Sequence, residues 1–117
     1  MKFHTINPAT EEVIDEYELM PKEKVISQLK KSHSAFNDWK SLDVSERGKH
    51  FRKLAQVLRN NREEYAKLMT LEIGKPIKQS LTEVEKCAWT AEVYADNAEK
   101  WLEEETVQAE GKKHLVV

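Results

Sequence analysis

The feature that most restricts what this chain can become is a row of apolar residues in its last third. Ile77, Leu81, Val84, Ala88, Ala91, Ala95, Ala98 and Leu102 follow one another in alternating steps of four and three. That spacing keeps one face of an α-helix apolar for about seven turns and fits no strand, whose side chains alternate with a period of two. A second row, Cys87, Tyr94 and Trp101, lies beside the first. The alanines in the middle let another backbone approach closely, so this helix is expected to pack against a sheet or a second helix.

The remaining segments are divided by residues with strong local preferences. Pro21 suits the start of a helix, where its missing N–H costs nothing, and Val25, Ile26, Leu29, Phe36, Trp39 and Leu42 then recur at helical steps. Asp43-Val44-Ser45-Glu46 has the form of a capping box and opens a second helix carrying Phe51, Leu54, Ala55 and Leu58. A break is expected near Asn60, with Asn61 and Glu64 forming another box ahead of Tyr65, Leu68, Met69 and Leu71. Gly74 is expected to close that helix in the left-handed conformation, and Pro76 to begin the next. Near the N-terminus, Asn7, Pro8 and Thr10 separate two short apolar stretches, which predicts strands at Phe3–Ile6 and Val13–Leu19. Glu105–Ala109 and His114–Val117, around a turn at Glu110-Gly111-Lys112, read as a hairpin. The expected fold of the isolated chain is therefore α+β and helix-rich, with three to four helices, an N-terminal strand pair and a C-terminal hairpin. At 117 residues, 39% apolar and 34% charged, it has the composition of one small folded domain and not of a disordered chain.

The chemistry is sparse. Gly48, Gly74 and Gly111 stand alone and far apart, so no clustered glycines can close backbone N–H groups on a phosphate. His4, His33, His50 and His114 have no partner at metal-ligand spacing and read as surface residues. Cys87 has no second cysteine, and its helical neighbours Glu83, Val84, Thr90 and Ala91 offer no cation or base, so it reads as buried packing beside Tyr94 and Trp101. The acids Glu83/Glu85 and Glu103/Glu104/Glu105, and the basic run Arg47, Lys49, His50, Arg52, Lys53, Arg59 and Arg62, read as solvated helix faces. Nineteen basic and twenty-one acidic residues are intermixed for a net charge of −2, so no nucleic acid or anionic membrane is expected as partner. No run of apolar residues approaches the ~18 needed to span a bilayer, and a cytoplasmic location is the expectation.

The order of these features is more specific than any one of them. Ile6-Asn7-Pro8-Ala9-Thr10 before Val13-Ile14, Trp39, Ser45-Glu46-Arg47-Gly48, and then Leu71-Glu72-Ile73-Gly74-Lys75-Pro76 follow at characteristic spacing. Next comes Glu83-Val84-Glu85-Lys86-Cys87-Ala88-Trp89, with Tyr94-Ala95 and Asn97-Ala98-Glu99 beyond it. This succession resembles the N-terminal part of NAD(P)-dependent aldehyde dehydrogenases over essentially the whole chain. The wording around Cys87 and Asn97 is most similar to the succinate-semialdehyde dehydrogenase branch. Glu11 departs from the pattern, standing where that family most often has glycine.

The resemblance implies the N-terminal part of an α/β dehydrogenase fold. Residues 1–102, including a strand pair at 3–19, would belong to the helical part of the cofactor-binding domain, and 103–117 would start an arm that joins subunits. The family's nucleophilic cysteine, general-base glutamate, oxyanion-binding asparagine and cofactor-gripping lysine fall in motifs beyond Val117, so the chain is expected to be a fragment without catalysis of its own. It would bind no cofactor alone, while the full-length family uses NAD or NADP. By position, Thr5, Ile6 and Glu83 match a monovalent-cation site. Expected partners are another copy of the chain or the remainder of the enzyme, because His114–Val117 would otherwise be an open strand edge. The rival expectation is a self-sufficient helical module that binds a partner protein without any enzymatic activity.

Overall fold

The computed structural model describes residues 1–109 and 112–116. Eight elements follow in order: β1 (Lys2–Ile6), β2 (Val13–Glu18), α1 (Lys22–Lys40), α2 (Val44–Asn60), α3 (Arg62–Ile73), α4 (Ile77–Trp101), β3 (Glu105–Ala109) and β4 (Lys112–Val116). The expected class, helix-rich α+β with strand pairs at both ends, is what forms. Of the turn expected at Glu110-Gly111-Lys112, the first two residues lie outside the described ones, as does Val117.

β1 and β2 pair antiparallel, Lys2 opposite Glu18 through Thr5 opposite Asp15, after which the register shifts and Ile6 faces Val13. Phe3 and Tyr17 stack across the pair with ring centroids 5.2 Å apart. The connecting turn is built by Asn7. Its side-chain oxygen accepts from the Ala9 N–H at 2.9 Å, its carbonyl accepts from the Glu11 N–H at 2.8 Å, and its own N–H donates to the Glu12 carbonyl at 2.9 Å. The chain can turn this tightly because Glu11 adopts a φ of 60°, a left-handed conformation that an L-residue reaches only at a cost.

Pro21 and Pro76 stand at helix starts as the sequence suggested, each at the cap, one position before the first helical residue. The Pro21 carbonyl accepts from Val25 N–H at 3.0 Å, and the Pro76 carbonyl from Ser80 N–H at 3.1 Å. Gly74 ends α3 in the left-handed conformation at φ 72°. The two capping boxes are a correction. Neither Asp43 nor Asn61 makes a side-chain cap hydrogen bond. Glu46 instead pairs with Lys49 one turn on, and Asn61 Nδ2 donates back to the Val57 carbonyl at 2.8 Å. The Asn61 amide is thereby turned by its Nδ2 bond and the Glu46 carboxylate is drawn to a local cation, while Asp43 makes no side-chain hydrogen bond among the described residues.

The core lies where α2 and α3 run along α4. Ala55, Ala66, Val84, Ala88 and Ala91 are buried, and Gly48 meets α4 so closely that a Cβ there would stand 3.2 Å from the Ala95 carbonyl oxygen. Thus the small residues of the α4 stripe serve close helix approach, whereas its ends, Ile77 and Leu102, remain exposed. Ser80 is fully buried and shares a 3.0 Å hydrogen bond with Thr70, which keeps its hydroxyl satisfied.

Cys87 is the second correction: it is exposed. Only the Val84–Ala88–Ala91 row is covered, and the neighbouring row of Cys87, Tyr94 and Trp101 faces outward, with Tyr94 and Trp101 in edge contact at 5.5 Å. α1 has no buried residue at all, although its apolar face is well formed; Trp39 against His50 at 5.2 Å ties its end to α2. The total accessible surface is 9878 Å², whereas a self-contained monomer of 13.7 kDa exposes about 6,600 Å². The Cα radius of gyration, 20.7 Å, likewise exceeds the about 13 Å of a closed domain of this length. This fold presents faces that its own residues do not cover.

Candidate functional site

Salt bridges fix α4 against α2, and a side-chain hydrogen bond ties it to the start of α3. Arg59 donates from Nε to Glu85 at 2.9 Å and from Nη2 to Glu92 at 2.8 Å, with a further Nη1 contact to Glu92. These hydrogen bonds hold the Glu92 carboxyl below the ordinary carboxylate value and raise the guanidinium above its own. Arg52 reaches Asp96 at 2.7 Å, and Arg62 Nε donates to the Leu81 carbonyl at 3.1 Å. Three members of the basic run in α2 and at the start of α3 therefore bind α4, a role that a reading of one helix at a time assigns to water. The signal that could have found them is the matching acidic row Glu85, Glu92 and Asp96 on the facing helix.

Away from this seam lies an open groove of about 940 Å³ between α2 and α4. Phe51, Leu54, Ala91 and Tyr94 give it apolar walls, Cys87 opens into it, and Lys78 and Lys86 stand among its polar lining residues. No histidine lines it, so the Cys87 thiol has no imidazole there to take its proton. Next to it, sharing Phe51 and Tyr94, is a smaller hollow of about 200 Å³ whose lining also includes Trp39, Val44, Arg47 and Leu102. The Nε of Arg47 is buried here and has no hydrogen-bond partner among the described residues.

The three residues matched to a cation site occupy two elements. Thr5 and Ile6 sit at the shifted register at the end of β1, and Glu83 lies in the first turns of α4. Thr5 Oγ1 is buried without a partner, an oxygen available to a ligand, while the Glu83 carboxylate is paired with the Lys75 ammonium. Among the described residues no hydrogen bond or ion pair joins Glu83 to Thr5 or Ile6. No group of three or more His, Cys, Asp or Glu side chains clusters at metal-binding distance among them, and none of their helices is long and apolar enough to cross a membrane.

Two sequence motifs do meet in space. A Cβ on Gly74 would lie 2.9 Å from Cγ of Pro8. The Asn7-Pro8 turn and the Gly74-Lys75-Pro76 turn are thus pressed together, and glycine is favoured at 74 both by its φ and by that contact.

A sequence model of the aldehyde dehydrogenase family matches residues 1–117, the whole chain. The chain belongs to the aldehyde dehydrogenase family. It is similar to a probable NADP-dependent succinate-semialdehyde dehydrogenase of Synechocystis sp., 36% identical over 116 residues, covering 99% of this chain and 26% of that protein. A mitochondrial succinate-semialdehyde dehydrogenase of Oryza sativa is 37% identical over 94 residues, covering 80% of this chain and 18% of the relative. The fold superposes on succinic semialdehyde dehydrogenase from Streptococcus pyogenes, solved with NADP+, at a TM-score of 0.86 and 29% identity; the match covers 95% of this chain and 25% of that one. The chain spans about a quarter of the length of such aldehyde dehydrogenases. Its own described glycines do not fit a dinucleotide cradle, since the space beside Gly48 is filled by Ala95 and that beside Gly74 by Pro8.

Proposed function

We propose that this chain is the N-terminal segment of an NADP-linked succinate-semialdehyde dehydrogenase, acting in the cytoplasm, and that it supplies supporting helices and not reacting groups. The observation that carries this reading is the family match over residues 1–117 set against coverage of only 26% of the Synechocystis relative. The surface excess over a self-contained monomer supports it, because these helices carry apolar faces that a larger body would cover. In this reading 1–102 belongs to the cofactor-binding domain, 103–117 to the arm between subunits, and the partners are the rest of the enzyme or another copy. A monovalent cation at Thr5, Ile6 and Glu83 belongs to the same reading, and the Glu83 carboxylate, one oxygen of which is paired with Lys75, has its other oxygen to offer.

The test is NADPH formation followed by absorbance, with succinate semialdehyde and the purified 117-residue chain. No turnover is expected. Turnover that disappears on Cys87→Ser would overturn the proposal, because the only described thiol would then be a nucleophile. The open groove between α2 and α4 favours one rival, a helical module that holds a partner protein. A clean monomer with a sharp, cooperative melt would favour that module, whereas oligomers with a broad melt fit the segment.

A further inference from the structure

The small hollow beside Arg47 carries an unmet demand. A buried guanidinium Nε without an acceptor is a costly arrangement, and native structures rarely leave it so. Glu46 is engaged with Lys49 and Asp96 with Arg52, and Asp43, one turn before Arg47, makes no ion pair or side-chain cap hydrogen bond. Around Arg47 the hollow is lined by Trp39, Val44, Phe51, Tyr94 and Leu102, and Leu102 is 63% exposed at its rim. A free small anion would leave these side chains wet. A carboxylate carried on an apolar protein surface satisfies the guanidinium and covers them at once, and the edge formed by Nε and a terminal nitrogen suits two parallel hydrogen bonds to a carboxylate. The surface excess, roughly 3,300 Å², is several times the ~800 Å² per partner of an ordinary interface, which fits a large covering body better than a peptide.

We propose that Arg47 is a docking residue, which receives an Asp or Glu side chain from the rest of the dehydrogenase as that body closes over Trp39, Phe51 and Leu102. The inference rests on the reading of this chain as a dehydrogenase segment. It predicts a change of sign. In the 117-residue chain alone, Arg47→Met removes an unsatisfied donor, so the folded-to-unfolded ratio stays within about a factor of two or rises. In a chimera where this chain replaces the matched quarter of the Synechocystis enzyme, the same substitution strands a buried carboxylate and lowers that ratio by about tenfold or more. Arg47→Lys keeps the charge but loses Nε, so it should not restore the chimera.

Thermal and urea unfolding of both proteins, each with Arg, Met and Lys at position 47, make the comparison. Equal effects of Arg47→Met in chain and chimera, or full restoration by lysine, overturn the docking role while the chimera's dehydrogenase activity leaves the segment reading standing. A chimera with neither folded protein nor turnover overturns both.

Discussion

Replacing Gly74 by alanine tests the contact between the two turns. The residue sits at φ 72°, where an L-side chain costs about 1–2 kcal/mol. Alanine also restricts the unfolded chain, which returns about 0.4–1 kcal/mol. The new Cβ then lies 2.9 Å from Pro8 Cγ, and because Pro8 is exposed the turn can yield, so the lower end of the ~1–3 kcal/mol range for overpacking applies. The net loss is about 1–3 kcal/mol, a fall in Tm of roughly 4–12 °C for a chain of this size. Circular dichroism melts of Gly74→Ala, Gly74→Asn and Pro8→Ala, with the Pro8/Gly74 double variant, separate the contributions. Asparagine tolerates the left-handed conformation and should retain mainly the steric cost. Removing the Pro8 ring should return part of the alanine penalty, giving a coupling of at least about 0.5 kcal/mol. Gly74→Ala melting with the parent would refute the backbone argument, and strict additivity with Pro8→Ala would refute the contact.

Three further outcomes are expected. Glu11→Gly should raise stability by about 0.5–1 kcal/mol in urea unfolding, because relief of the φ 60° strain exceeds the added freedom of glycine in the unfolded chain; a lower midpoint would count against strain at this turn. Arg59 holds the Glu92 carboxyl low, so that pair's contribution is full above the ordinary carboxylate pKa of about 4.3 and is lost as pH falls through the depressed folded value. Arg59→Met should therefore flatten the acid side of a plot of Tm against pH, and an unchanged acid limb would show that the bridge adds nothing. Cys87 should react fully and quickly with a thiol reagent in the native chain, and Cys87→Ser should shift stability by no more than about 0.5 kcal/mol; slow labelling would mean the thiol is covered.

Much of the architecture is written locally and could be read there. Pro21, Gly74 and Pro76 mark helix boundaries because proline fixes its own φ and glycine enters the left-handed conformation without a side-chain penalty. The α4 stripe is legible for the same reason, since one helix determines which residues share a face. What escapes a sequence reading depends on pairing across space. Asp43 and Asn61 have the composition of caps, but a cap hydrogen bond must outcompete other local partners, and sequence does not rank them. Periodicity shows two apolar rows on α4 and cannot say that α2 covers only one, so Cys87, expected inside, lies outside. The salt bridges of Arg52 and Arg59 join residues 26 to 44 positions apart and have no local signature. The unpartnered atoms at Thr5 and Arg47 are likewise visible only once the fold is in place.

The packing of both α2 and α3 on one long helix also has a bearing on synthesis. Thr70 and Ser80 meet across ten positions, so the hairpin of α3 and α4 closes a short loop and can form as soon as its residues are available. The salt bridges of α2 close much longer loops, because Arg52 and Arg59 wait for Asp96 and Glu92. While the chain grows from its N-terminus, Ala55 and Leu58 are therefore translated before the helix that covers them exists. During that interval the nascent segment offers an apolar strip suited to a chaperone, and the slow arrival of α4 sets how long that exposure lasts.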